Sequence, residues 1–282
     1  MYKFLKSNPE KDKIRKMLIN FYKLRPTSYG IDDIPLNYYE KYIRIVKKYS
    51  NRKKYLLDFG NGNHQSILAL ASAGFKVFGL DILSNNKYIE IKSKLSGINA
   101  SIINYDGGHS LPFEKNSFEI ISSNCVLEHM LDVSSILAEF KRILKPRGRI
   151  IIVCPNWGGI NNPIRGFHLI YKKKRYFHFK NYVDLIIGLF FSFFYPFYVK
   201  TSRTQKFIYI YPMMKNNEIN FEFSDDDAVH LCIPTSFIEW FKKNGFEILS
   251  YNKDSGKSIY SRIFNRLLPM YSTENVIIAE LK

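Results

Sequence analysis

The stretch Tyr55-Leu56-Leu57-Asp58-Phe59-Gly60-Asn61-Gly62-Asn63-His64 limits what this 282-residue chain can fold into more than any other. An apolar run meets an acid, two glycines follow in a tight turn, and the spacing predicts an amphipathic helix from about Gln65. Glycine has no Cβ and tolerates positive φ, so such a turn lets backbone come close to a nucleotide-like ligand. The dinucleotide fingerprint G-x-G-x-x-G would need a third glycine at position 65, where Gln65 stands. A pyrophosphate favours a bare helix N-terminus. An adenosyl ligand with a cationic sulfonium suits a turn that carries Asp58 better.

Periodicity extends the pattern. Strands are predicted at Tyr55–Asp58, Val77–Leu80, Ser101–Tyr105, Phe118–Ser123 and Arg149–Cys154. Helices are expected between them near Gln65–Ala73, Lys87–Leu95 and Ser134–Leu144, the last broken by Lys145-Pro146-Arg147-Gly148. The alternation resumes after Ile233, with Thr235 as the cap of a helix to Lys243 and strands at Phe246–Tyr251 and Val276–Leu281. Strands alternating with helices imply an α/β fold with a parallel sheet and right-handed crossovers. Two helices precede the core, a basic amphipathic one over residues 9–24 and a second carrying Leu36, Tyr39, Tyr42, Ile43 and Val46. The chain divides into a helical extension (1–50), a core (51–157), an insertion (158–227) and a return to the core sheet (228–282).

Composition narrows the class. With 46% apolar residues, global disorder is excluded. Cys125, Cys154 and Cys232 are far apart and form no C-x-x-C, so neither a disulfide framework nor a metal site is expected. They read as buried free thiols in a reducing cytosol. The opening residues turn charged at Lys3, which leaves no signal-peptide core, and a cytoplasmic location follows as an expectation. The net charge of +17 suits nucleic acid or an anionic membrane surface, or reflects a residue usage rich in Lys, Asn, Ile, Tyr and Phe. In the insertion, Lys172-Lys173-Lys174-Arg175 precedes the apolar run Leu185–Val199. That run is shorter than the ~20 residues of a membrane span. A lid over the site or an interfacial segment at the inner face of a membrane fits it better.

In an open parallel sheet, ligands bind beyond the carboxyl ends of the strands. Asp58, Asp81 and Asp106 close three successive predicted strands. A carboxylate after the second strand can accept two hydrogen bonds from ribose hydroxyls, and Asp81 follows Asp58 by 81 − 58 = 23 positions, near the separation expected for that role. Asp106 could accept from an adenine amino group.

Leu57-Asp58-Phe59-Gly60-Asn61-Gly62, Asp81, Asp106, Leu111-Pro112-Phe113, Ser117-Phe118-Glu119-Ile120-Ile121, Asn124-Cys125-Val126-Leu127-Glu128-His129 and Leu144-Lys145-Pro146-Arg147-Gly148-Arg149 together resemble the class I S-adenosylmethionine-dependent methyltransferases, most closely the type 11 group. The resemblance covers about residues 50–157 and, more loosely, 228–282. It implies a Rossmann-like, doubly wound, seven-stranded mixed sheet with helices on both faces, a helical and aromatic insertion after the fifth strand, and S-adenosylmethionine as cofactor. It further implies that Asp58, Gly60, Asn61 and Gly62 hold the methionine end. Asp81 would bind the ribose with Ile82 against the adenine, Asp106 and Gly107 would meet the adenine edge, and Asn124 and Val126 would lie beneath the sulfonium. His64 replaces a third glycine common in the family, which would narrow the site and opens a non-catalytic reading.

Methyl transfer to a hydroxyl calls for a general base. His129 is the expected one, and His230 is a second candidate if the segment after the insertion returns to the pocket. Trp157 is expected beside them. Glu128 would bond backbone or touch substrate. The triplet Asp225-Asp226-Asp227 reads best as a solvated turn. The acceptor is expected to be a small molecule, a glycan or a lipid-linked compound, with peripheral contact to an anionic membrane. A nucleic-acid acceptor is disfavoured, because the segment after the fourth strand lacks the Asn/Asp-Pro-Pro-aromatic motif used to clamp a flipped base.

Overall fold

Runs of β-branched and large apolar residues with polar punctuation become strands that are covered from both sides. The computed structural model describes residues 8–24, 39–51, 54–62, 64–108, 110–156, 190, 194, 207–220, 225–256, 259–272 and 274–282. In chain order it comprises helices α1 (Asn8–Leu24) and α2 (Glu40–Ser50), strand β1 (Tyr55–Phe59), α3 (His64–Ser72), β2 (Lys76–Asp81), α4 (Asn85–Lys94), β3 (Ala100–Asn104), β4 (Phe118–Asn124), α5 (Val133–Ile143) and β5 (Leu144–Pro155). Short strands β6 (Ile208–Tyr209), β7 (Met214–Lys215), β8 (Glu218–Ile219) and β9 (His230–Leu231) follow, then α6 (Pro234–Lys243), β10 (Phe246–Tyr251), α7 (Ile259–Leu267) and β11 (Glu274–Leu281).

Seven strands form one sheet in the order β10-β11-β5-β4-β1-β2-β3. β1 pairs in parallel with β2 and β4, β2 with β3, and β4 with β5, whereas β11 is antiparallel to both of its neighbours. The fold is the expected Rossmann-like mixed sheet. Side-chain alternation explains its two layers. Leu57, Ile121, Ile150, Ile152 and Ile277 face one side and pack with Ile136 and Phe140 of α5 and with Phe237 and Phe241 of α6. Leu56, Ile120, Ile151, Val153 and Ile278 face the other and meet Ile45, Ile67 and Ile91 from α2, α3 and α4. Each such side chain contributes about 1.5–3 kcal/mol when fully buried. Phe140 adds an edge-to-face contact with Phe59, ring centroids 5.0 Å apart.

Several boundaries differ from expectation. Thr235 is not a cap: α6 is preceded by Ile233 and begins at Pro234, whose fixed φ suits the first helical turn. Lys145–Gly148 do end α5, but they belong to a distorted start of β5, where the register against β4 shifts between Phe118 and Ile120. α7 was not visible in the sequence pattern, and its apolar side is not a core stripe. The run Leu185–Val199 and the cluster Lys172–Arg175 lie outside the described residues, except Phe190 and Phe194, which are exposed and stack at 5.3 Å. Among the described residues, no helix is long and apolar enough to cross a membrane.

The start of the sheet is tied to its helices by one buried acid. Asp58, 2% exposed, accepts from Tyr42 Oη of α2 at 2.7 Å and from Ser66 Oγ of α3 at 2.7 Å. Burial pushes its pKa up, and the hydroxyls of Ser66 and Tyr42 pull it back. Tyr42→Phe removes one donor and leaves part of the carboxylate unsatisfied, so urea unfolding is expected to show a loss of about 1–3 kcal/mol.

Candidate active site

The chain leaves β1 toward β2 on one side of the sheet, and β4 lies on the other. This reversal of strand order opens a crevice at the carboxyl ends, where ligands bind in such sheets. A cleft of about 260 Å³ lies there. Asp58, Gly60, Asn61, Gly62, Asp81, Ile82, Gly107, Asn124, Val126 and His129 all line it, so ten of the positions singled out in the sequence converge.

The glycines are there for steric reasons. Gly60 has φ +75° and donates its N–H to Leu80 O at 2.8 Å. A Cβ at this position would fall 2.3 Å from Val126 Cγ2, so the β1 turn and the loop after β4 touch only because residue 60 has no side chain. Gly107, at φ +79°, lies under α1, with Ile19 Cδ1 2.6 Å from where its Cβ would be.

Asp81 is the polar centre of the cleft. Its Oδ2 accepts the N–H of Gly62, and its Oδ1 accepts the N–H of Ile82 at 2.7 Å. Burial pushes its pKa up to about 6, against the pull of the Gly62 and Ile82 amides. Asp58 also reaches the cleft, but its oxygens accept from Tyr42 and Ser66 and, at 3.5 Å, from Ser122 Oγ. Asp106 is a correction. Its carboxylate is exposed, accepts from Gly108 N at 2.8 Å and does not line the cleft; Gly107 and Gly108 do. An acid two residues before a glycine bend is used here to hold that bend.

His129 closes a 3₁₀ turn, Leu127–His129, directly after β4. Its Nδ1 lies 3.4 Å from Asp227 Oδ2, and its Nε2 lies 3.9 Å from Glu128 Oε1. Burial opposes a charge on the imidazole, but Asp227, Glu128 and Asp225 outweigh it and raise its pKa above the ordinary value. Glu128 does not line the cleft. It is fully buried, and burial raises its pKa to about 8, with His129 lowering it and Asp225 raising it further.

His230 is a second correction. It does return to the core, but not to the cleft. It is fully buried among Phe207, Tyr209 and Phe237, and its Nδ1 lies 3.1 Å from Leu127 O. Burial lowers its pKa to about 3, so it stays neutral and packs as an aromatic. The acid triplet is a third correction: Asp225, Asp226 and Asp227 are buried rather than solvated, and Asp227 lines the cleft. Trp157 lies outside the described residues.

Sequence reasoning missed the roof. α1, read as a basic extension, supplies Arg15, Leu18, Ile19 and Tyr22 to the cleft. Tyr22 Oη donates to Asp227 Oδ2 at 2.7 Å. The amphipathic period of residues 9–24 was visible, but the surface it would cover was not. His64 begins α3 and is not on the cleft wall, so it does not narrow the site as expected, and the non-catalytic reading loses its support.

Residues 57–152 match the family model of a methyltransferase domain. The chain carries a class I S-adenosylmethionine-dependent methyltransferase domain of the type 11 group. It is 26% identical over 228 residues to a demethylmenaquinone methyltransferase of Thermotoga maritima, covering 79% of this chain and 81% of that one. A 30% identical match to a 37.1 kDa protein of transposon TN4556 from Streptomyces fradiae is shorter, spanning 37% of this chain and 31% of that protein. The fold is similar to magnesium protoporphyrin IX methyltransferase of Synechocystis PCC 6803, a structure with bound SAH (TM-score 0.51, 13% identity, 98% of this chain and 95% of that one).

The residues present fit S-adenosylmethionine, the cofactor of this domain. Gly60 and Gly62 line the cleft as bare backbone, and the Asp81 carboxylate there can accept from a ribose diol. Ile82 and Val126 offer apolar surface. When bound, the cofactor supplies an electrophilic sulfonium methyl group. Hydroxyl donors on Asp81 would favour its ionised form, whereas burial in the free protein raises its pKa to about 6. Affinity for S-adenosylmethionine is therefore expected to fall as pH drops through about 6, approaching tenfold per pH unit, and Asp81→Asn should flatten and weaken the profile; calorimetry from pH 7.5 to 5 checks this. The raised pKa also means that ionised Asp81 costs the protein stability above that pH, the reverse of a salt-bridged acid.

Proposed function

We propose that the protein transfers a methyl group from S-adenosylmethionine to a hydroxyl on a small, glycan or lipid-linked acceptor. One observation carries this reading: the donor-binding turn and a histidine braced by a carboxylate share one cleft, with His129 at 3.4 Å from Asp227. Methyl transfer from a sulfonium is an in-line displacement in which alignment and exclusion of water do most of the work. α1 covers the cleft and supports both.

Asp227 orients the imidazole, and His129 takes the acceptor's proton as the O–C bond forms and the S–C bond breaks. Burial opposes the imidazolium, but the neighbouring carboxylates outweigh it and raise the His129 pKa, so His129 becomes a base only as pH rises past its ordinary range. The rate with a hydroxyl acceptor should therefore climb through a pKa above 6.5. His129→Gln should cut kcat by roughly 10²–10⁴-fold, with little change in cofactor affinity. Methyl-labelled cofactor with panels of free, glycan and lipid-linked alcohols measures this. Full activity of the variant would remove the base role, and no transfer to any panel member by the native chain would remove the hydroxyl reading.

The lipid-linked branch has its own support. Ile259, Tyr260, Ile263 and Leu267 of α7 are each more than half exposed, with Arg262 and Arg266 on the same short helix. α7 contains no acid, and the net charge is +17. An apolar strip beside arginines on a basic protein suits the interface of an anionic bilayer. The protein should pellet with phosphatidylglycerol vesicles and not with phosphatidylcholine vesicles, and Ile263→Glu with Leu267→Glu should abolish pelleting. Unchanged pelleting of that double variant would dissociate α7 from any membrane contact.

A further inference from the structure

Buried charge is concentrated beside the cleft. Glu128 is fully buried, and neither of its carboxylate oxygens has a hydrogen-bond partner among the described residues. Its Oε1 lies 3.9 Å from His129 Nε2. Asp225, 6% exposed, brings a third group to the same point. One ligand atom from each of Glu128, His129 and Asp225 lies within 4.8 Å of the other two. The three are fixed by backbone. Glu128 and His129 share the 3₁₀ turn after β4, Asp225 has the left-handed φ of +68°, and the Val229 N–H of the same loop donates to Glu128 O at 2.8 Å.

Carboxylates taken out of water without donors are strongly unfavourable unless they are neutralised or bind a cation. Asp227, also buried, stands beside the group. Two carboxylates and an imidazole form a donor set suited to manganese and zinc, mixing the oxygen ligands of the first with the nitrogen ligand of the second. Ligating histidines are commonly oriented by an outer carboxylate on the other ring nitrogen. Asp227 stands at 3.4 Å from His129 Nδ1 in that position and is itself held by Tyr22.

We propose that Glu128, His129 and Asp225 form a binding site for a divalent cation of the Mn²⁺ or Zn²⁺ class, with Asp227 bracing the imidazole. The site meets the cleft through His129. A ligated imidazole nitrogen no longer takes up a proton. Ion binding itself requires neither the methyl donor nor an acceptor.

The test uses the full chain, stripped with a chelator and free of donor and acceptor. It is titrated with MnCl₂ and, separately, with ZnCl₂ by calorimetry, with loss of the free Mn²⁺ resonance signal as a second readout. One equivalent of at least one cation should bind. Glu128→Gln and Asp225→Asn should each weaken it at least a hundredfold, and Asp227→Asn by roughly tenfold. Glu128→Gln is isosteric and breaks no hydrogen bond of the carboxyl group, so its metal-free melting temperature should match or exceed that of the native chain, which separates lost binding from lost folding. Absence of binding at millimolar metal overturns the proposal. Equal binding by native chain, Glu128→Gln and Asp225→Asn also overturns it, because the ion would then be held elsewhere. Neither negative result bears on methyl transfer, which is read in the labelled-donor assay.

Discussion

The site depends on the carboxylate of Asp81 gripping the N–H of Gly62. This bond joins the end of β2 to the turn after β1, two pieces of chain that the parallel sheet brings side by side. It fixes the turn without a side chain in the way, because residues 60 and 62 are both glycines with positive φ. The strand order does the rest. With β1 flanked by β2 and β4, the crevice has one wall from the β1 turn and another from the loop that carries Asn124, Val126 and His129.

Two buried acids show how environment divides roles. Asp58 spends its oxygens on the hydroxyls of Tyr42 and Ser66, and so anchors α2 and α3 to the sheet. Asp81 spends its oxygens on backbone amides at the cleft, where a carboxylate still has lone pairs to offer. They lie at the ends of adjacent strands and look alike in sequence. What separates them is which helices pack nearby.

This explains what could be read in advance. The strand–turn–helix at Tyr55–His64 and the strand-end acids Asp58 and Asp81 are local patterns, and local patterns survive folding because strand period and glycine stereochemistry need no distant partner. The triplet Asp225-Asp226-Asp227 misled for the same reason. Three acids in a row read as solvated, but distant segments, Tyr22 of α1 and the 3₁₀ turn of residues 127–129 among them, meet this loop and the group is buried. His230 was placed in the right region but on the wrong side of it, since a two-residue strand decides which way it faces. Asp106 misled through position alone: it closes a predicted strand, yet its carboxylate accepts from Gly108 N two residues on.

Tyr22 and Asp227 are separated by 205 positions, and their bond holds the roof helix over the donor turn. During synthesis from the N-terminus, β1 and the glycine turn that line the cleft emerge long before the residue that pins α1 in place. The turn is therefore an early product of the ribosome, whereas its roof can be pinned only once synthesis has passed Asp227.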